Sequence, residues 1–173
     1  MTCSRSSPVS VGFGSMTGRD PERITRVVLA ALQRAGQRGV LLTGWGGLRA
    51  VDLPRDVFVA DAAPHDWLFP RMAAVVHHGG AGTTATAARA GVPQVITPMF
   101  GDQFYWAGRI VDLELGATTS YSTMTEESLT GALRVALDPA VTVRARTLAG
   151  QVRWDGAAVA ARQLEVEYDA AGN

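Results

Sequence analysis

Residues 73–84 read AAVVHHGGAGTT, an apolar run that ends in two histidines and three glycines and passes directly into small residues that continue to Ala90. Ala73 to His77 has the composition of a buried strand, and the small residues from Thr83 to Ala90 suit a helix that Gly91 stops. The unit is strand, glycine loop, helix. In that arrangement the glycines admit a ligand to the backbone, and the amides of the first helical turn point at it with the positive end of the helix dipole.

Outward from this unit the alternation repeats. Residues 8–13 (PVSVGF), 40–43, 56–60 (DVFVA), 92–97 (VPQVIT) and 117–121 are expected strands. Asp20, Pro21 and Glu22 supply an N-cap, a first-turn proline and a first-turn acid, and Ile24, Val27, Val28, Ala31 and Leu32 recur at helical spacing until Gly36. Further helices are expected over 103–113 and over 126–137, the latter facing inward through Leu129, Leu133 and Leu137. The segment 143–167 carries two more, broken near Trp154, Asp155 and Gly156. Strands alternating with helices predict an α/β fold, a Rossmann-like doubly wound parallel sheet of about six strands. Little alternation within the strands fits a sheet covered on both faces. The length of 173 residues reads as one domain, with a core over 8–168, a disordered or linker segment over 1–7 and a tail over 169–173. Such sheets bind ligands outside the carboxyl ends of their strands, so the site is expected among the loops 12–18, 43–47, 60–70, 77–84 and 98–103.

Composition removes several chemistries. Hydrophobic residues make up 47% and charged residues 18%, as in a globular protein. Sixteen basic and sixteen acidic residues cancel with no basic block, so neither nucleic acid nor an anionic membrane surface is an expected partner. All the basic residues are Arg, which excludes Schiff-base chemistry, a P-loop lysine and serine/lysine catalysis. Cys3 has no internal disulfide partner. No apolar run has the length of a membrane span and MTCSRSSP is no signal peptide, which makes a cytoplasmic location the expectation.

In the glycine loop, Thr83 and Thr84 offer hydroxyls and His78 an imidazole, which together can hold a phosphate pair without lysine or metal. Successive strand residues point to opposite faces, so one of His77 and His78 faces the ligand and the other packs; His78, beside the glycines, is the ligand candidate. The divergence of adjacent strand residues also argues against a two-histidine metal site. Asp102 and Gln103 end the next loop, where a carboxylate and a carboxamide can bracket sugar hydroxyls, the alternative being an N-cap and its neighbour. The loop GFGSMTG over 12–18 is a poor dinucleotide fingerprint: its third glycine comes one residue late, the helix starts too far away, and the second strand ends in Thr43, Gly44 and Trp45 with no acid for a ribose. Ser15 can still donate to a phosphate from the neighbouring loop.

The segments HDWLFP (65–70), AAVVHHGGAGTT and RAGVPQVITPMFGDQ (89–103), with 24 residues from His78 to Asp102, resemble the donor-binding half of nucleotide-sugar glycosyltransferases of the GT-B fold, in the branch of the sterol and antibiotic glycosyltransferases. The resemblance runs from Gly12 to Glu165. It implies a donor, UDP- or dTDP-sugar, with its diphosphate on His78, Gly80, Gly82, Thr83 and Ser15, its sugar on Asp102 and Gln103, and its base and ribose near Ala62 and His65. It implies inverting transfer of a hexose to a small-molecule acceptor, with neither metal nor other cofactor. The acceptor pocket and general base would lie on an N-terminal domain, so this chain would hold no catalytic residue and be inactive when isolated. Plant members carry Trp and Asn where this chain has Ala81 and Gly82, and a ribose-binding Glu where it has Thr86. Alternatives are a nucleotide-sugar binding module without transferase activity, or half of a nucleotide-sugar epimerase. Phe100, Phe104, Tyr105 and Trp106, with Trp45, are expected on the face that would meet the acceptor domain, where they could join two copies into a homodimer.

Overall fold

The computed structural model describes residues 7–14, 20–44 and 53–170. Six strands, β1 (Val9–Gly12), β2 (Gly39–Leu42), β3 (Val57–Ala60), β4 (Ala74–His77), β5 (Gln94–Ile96) and β6 (Gly116–Thr118), run parallel in the order β3-β2-β1-β4-β5-β6. This is the doubly wound arrangement expected from the alternation of strands and helices. The winding reverses between β1 and β4, and a ligand enters such a sheet at the crevice beyond that switch point. The register of Gly12 against His77 brings the loops after β1 and β4 to the same edge.

The two sheet faces have different covers. Val9, Val11, Ala74 and Val76 face α1 (Pro21–Arg34) and α5 (Glu126–Ala136), meeting Ile24, Val28, Leu32, Leu129 and Leu133 in one buried cluster. Leu42 and Val75 face the other way, against Phe69, Leu68 and Ala87. The cap of α1 forms as expected, Asp20 Oδ1 accepting from Arg23 N–H at 2.9 Å with Pro21 at the first position. Thr125 and Ser128 close a capping box on α5.

Several boundaries depart from expectation for local reasons. Helix α3 (Ala81–Ala90) starts two residues before Thr83, so Ala81 and Gly82 belong to its first turn. Strand β5 is shorter than 92–97, and β6 ends at Thr118; Tyr121 lies beyond it, its ring edge-on to Phe13 at 5.2 Å. The helix expected from 143 is α6 (Pro139–Ala149), begun by Asp138, whose Oδ1 accepts from Ala140 N–H at 2.7 Å; the Asp-Pro pair repeats the signal of Asp20 and Pro21. One helix was not expected: α2 (His65–Leu68), followed by a 3₁₀ turn over Phe69–Arg71, is too short to show a helical period. After α4 (Gln103–Asp112), α5 and α6 comes α7 (Gly156–Ala170), along which Leu164, Val166 and Tyr168 are exposed. Among the described residues no helix is long and apolar enough to cross a membrane. Residues 1–6, Ser15 and Trp45 lie outside the described residues.

Candidate functional site

At the switch point a cavity of about 260 Å³ opens, lined at its outer edge by Gly12, Gly14, His78 and Thr83 and on the β3 side by Asp61, Ala62, Ala63 and His65. Ser10 and Phe69, both buried, also line it. The glycine loop leads from β4 into α3 and brings His78 and Thr83 to the cavity. Gly80 caps α3 without a side-chain bond, and the backbone ladder starts with Thr84 N–H to Gly80 O at 2.9 Å. The amides of Ala81, Gly82 and Thr83 therefore have no partner within the helix. Gly79 has φ of +91°, and a Cβ there would come within 2.6 Å of Ile96 Cγ2; a Cβ on Gly80 would come equally close to His78 Nε2. Only glycines let the loop turn this tightly around the imidazole.

The two histidines separate. His77 is buried, with Gly79 N–H donating to its Nδ1 at 3.1 Å and its Nε2–H donating to Gln94 Oε1 at 2.9 Å. Gln94 Nε2 in turn donates to Thr84 O at 3.4 Å. This relay ties the end of β4, the strand β5 and the first turn of α3 together. Burial pushes the His77 pKa down to about 4 against the opposing pull of Gln94, so the ring is neutral. His78 is half-buried at the cavity edge and its buried Nδ1 has no hydrogen-bond partner. Burial holds its pKa below the ordinary value, with the Asp102 carboxylate pulling the other way. His65 is stacked on Phe69 at 4.5 Å and also lowered by burial.

The paired threonines do not act alike. Thr83 lines the cavity, whereas Thr84 is buried and its hydroxyl donates to Gly80 O at 3.0 Å, which removes it from the donors expected of the loop. Thr86 likewise turns its hydroxyl to Gly82 O at 2.9 Å.

Asp102 and Gln103 also divide. Asp102 occupies the cap position of α4 but caps nothing; its Oδ2 accepts from Trp106 Nε1–H at 3.1 Å, and the residue is exposed. Gln103 is buried, its Oε1 accepting from Met99 N–H at 2.7 Å and Phe100 N–H at 3.2 Å. Gln103 thus shapes the 98–103 loop through its side-chain oxygen. Phe100, Phe104 and Tyr105 are exposed beside them, and Trp106 is half-buried against the core.

One residue escaped the sequence reading. Asp61, directly after β3, lies on the cavity rim and accepts from Thr43 Oγ1–H at 3.1 Å. Its signal was positional: an acid at the carboxyl end of the strand next to β2.

A family model described as the C-terminal domain of erythromycin biosynthesis protein CIII-like proteins matches residues 44–162. The chain is 46% identical over 147 residues to the sterol 3-beta-glucosyltransferase UGT80B1 of Arabidopsis thaliana, covering 83% of this chain and 24% of that protein. It is 46% identical over 157 residues to the vancomycin aglycone glucosyltransferase of Amycolatopsis orientalis, covering 91% and 38%. The solved structure of the calicheamicin glycosyltransferase CalG4 matches with a TM-score of 0.76 at 26% identity, over 94% of this chain and 42% of that one. The chain spans well under half the length of each of these proteins.

Proposed function

The chain belongs to the family of C-terminal domains of erythromycin biosynthesis protein CIII-like glycosyltransferases, and from that membership we propose that it holds the nucleotide-sugar donor during glycosyl transfer. The observation that carries the proposal is the first turn of α3, whose amides have no partner within the helix and whose Thr83 lines the cavity together with His78, a ring with an unpartnered Nδ1. Two phosphates placed there accept from backbone amides, a hydroxyl and an imidazole; the amides of Gly80 and Gly82 approach them, with Ser15 as a further donor.

The finer assignment belongs to the same proposal and rests on the resemblance of the loops to those of nucleotide-sugar glycosyltransferases. The donor is a UDP- or dTDP-sugar whose base lies near Ala62 and His65, and Asp61 accepts from the ribose hydroxyls. Asp102 and the amide nitrogen of Gln103 hold the sugar, a hexose. In the complete reaction an acceptor hydroxyl on a small molecule attacks the anomeric carbon from the face opposite the diphosphate. The bond from that carbon to the diphosphate oxygen breaks, and configuration inverts. The hydroxyl proton passes to a base on a separate acceptor domain. The charge of the departing diphosphate is taken up by the helix amides and His78 with no metal in the step.

Calorimetry with UDP and dTDP tests the reading. Binding is expected at Kd of roughly 0.1–1 mM, about 4 to 5.5 kcal/mol, since the phosphate loop offers no lysine. Absence of heat with both nucleotides at several millimolar overturns it.

A further inference from the structure

The relay beneath the glycine loop admits one arrangement of protons. At one end Thr84 O can only accept, so the part of Gln94 that meets it at 3.4 Å is the amide Nε2, and the part that meets His77 is the oxygen. At the other end the Gly79 N–H can only donate, so His77 meets it with the lone pair of Nδ1, at 3.1 Å. The proton of the neutral ring therefore sits on Nε2, which donates it to Gln94 Oε1 across 2.9 Å. A carboxamide satisfies both neighbours, whereas a carboxylate or an apolar chain does not.

The same relay holds the glycine loop at both ends. Gly79, at φ of +91°, is fixed through its N–H on His77, and Gly80 is fixed through its carbonyl, which accepts from the N–H and the hydroxyl of Thr84 at 2.9 and 3.0 Å. Gln94 bonds both anchors, His77 through its oxygen and Thr84 through its nitrogen. His78 and Thr83, the loop side chains that line the cavity, are each next in sequence to one of these anchors. Gln94 itself is buried and lies outside the cavity lining. We propose that Gln94 is a positioning residue for donor binding, which fixes the proton of His77 on Nε2 and so holds both ends of the glycine loop, with His78 and Thr83, in the arrangement that takes a diphosphate. The inference rests on the nucleotide-sugar reading above and adds to it a residue that touches no ligand. Side chains locked by hydrogen bonds behind a binding shell act in this way.

The test is Gln94→Glu in the full chain, with UDP titrated at pH 8 and pH 6 against the unsubstituted chain at the same pH. A carboxylate at this position favours the imidazolium of His77, against His78 and His65, the ionisable groups that act on that ring and disfavour its charge. A protonated Nδ1 then meets the Gly79 N–H donor to donor, and the loop shifts. The expected result is a UDP affinity within about 2-fold of the unsubstituted chain at pH 8 and roughly 5- to 10-fold weaker at pH 6, the size of one hydrogen bond. Gln94→Met, which cannot hold either anchor, is expected to weaken UDP about 5-fold at both pH values. The same affinity ratio at both pH values in Gln94→Glu overturns the inference. So does a lowered melting temperature with unchanged UDP affinity in both variants, since Gln94 then serves the fold alone. If Gln94→Glu does not fold, Gln94→Met and the imidazole nitrogen resonances of His77 in the unsubstituted chain decide: unchanged UDP affinity, or a proton on Nδ1, overturns the inference. If the unsubstituted chain binds no UDP, it is the donor reading that fails, and the inference falls with it.

Discussion

The indole Nε1–H of Trp106 donates to Oδ2 of Asp102 across 3.1 Å, one helical turn along α4. The carboxylate is thereby drawn off the helix end it would otherwise cap and fixed on the side chain of its own helix. Trp106→Phe keeps the ring and removes the donor. The expected outcome is unchanged UDP affinity with a roughly 3- to 10-fold loss in the added affinity of a UDP-hexose, as one charge-assisted hydrogen bond is removed. Competitive titration of UDP against UDP-hexose measures it; parallel losses in both ligands count against a sugar role for Asp102.

His77 and His78 should fail in different ways. His77→Ala leaves the Gly79 amide and Gln94 Oε1 unpaired in a buried site and is expected to lower stability by about 2 to 4 kcal/mol. His78→Ala removes a half-buried ring with one unpartnered nitrogen and should weaken UDP about 10-fold with little change in melting temperature. Urea denaturation and calorimetry on both variants separate the two roles.

The neutral His77 makes stability depend on pH with a definite sign. Its folded pKa of about 4 lies below the unfolded value of 6.5, so between these pH values the unfolded chain binds the extra proton. Stability contributed by the neutral ring is present above pH 6.5 and is lost as pH falls toward 4, by up to about 3 kcal/mol. His65 and His78, both lowered by burial, act in the same direction. Urea midpoints at pH 7, 6 and 5 should fall in sequence, and His77→Gln should flatten the trend; an unchanged slope in that variant would falsify the assignment.

Two loop glycines distinguish space needed by the protein from space needed by its ligand. A methyl on Gly80 meets His78 Nε2, so Gly80→Ala should displace the imidazole and weaken UDP binding. A methyl on Gly82 meets nothing within 4 Å, so Gly82→Ala should leave the fold intact. Its stability should even rise by about 0.5 to 1 kcal/mol from the helical preference of Ala over Gly. If a diphosphate lies on the first turn, UDP affinity nonetheless falls. Melting curves with and without UDP report both effects.

Phe100, just before α4, and Phe104 and Tyr105 in its first turn are each more than half exposed. Apolar surface of this kind favours association. Sedimentation at tens of micromolar is expected to show a symmetric dimer that Phe104→Asp returns to monomer; a monomer in both samples rejects self-association through these rings.

The fold was legible because each element carries its own signal. Asp20 and Pro21 mark a helix start, and strands that are mostly apolar on both faces mark a sheet covered on both sides. The loops that hold the site could be read off the ends of those strands. What stayed hidden was the use of particular atoms. Thr83 and Thr84 are adjacent and chemically equal in the sequence, yet helical rotation turns one to the cavity and spends the other on Gly80 O. Gln103 reads in the sequence as a sugar ligand, yet the Met99 and Phe100 amides donate to its side-chain oxygen. Asp61 reaches the cavity only because β3 ends where it does, which is set by the pairing of β1, β2 and β3 across the sheet.

Helix α7 stands apart energetically from everything described above. Fifteen residues of helix span about 22 Å, and an isolated helix of that length is marginal in water unless a packed face supports it. With Leu164, Val166 and Tyr168 all exposed, its backbone amides should exchange with deuterium far faster than those of β1 or β4. Slowed exchange in that helix alone would therefore register whatever surface comes to lie against it, making α7 a built-in gauge of docking that needs no label at the nucleotide site.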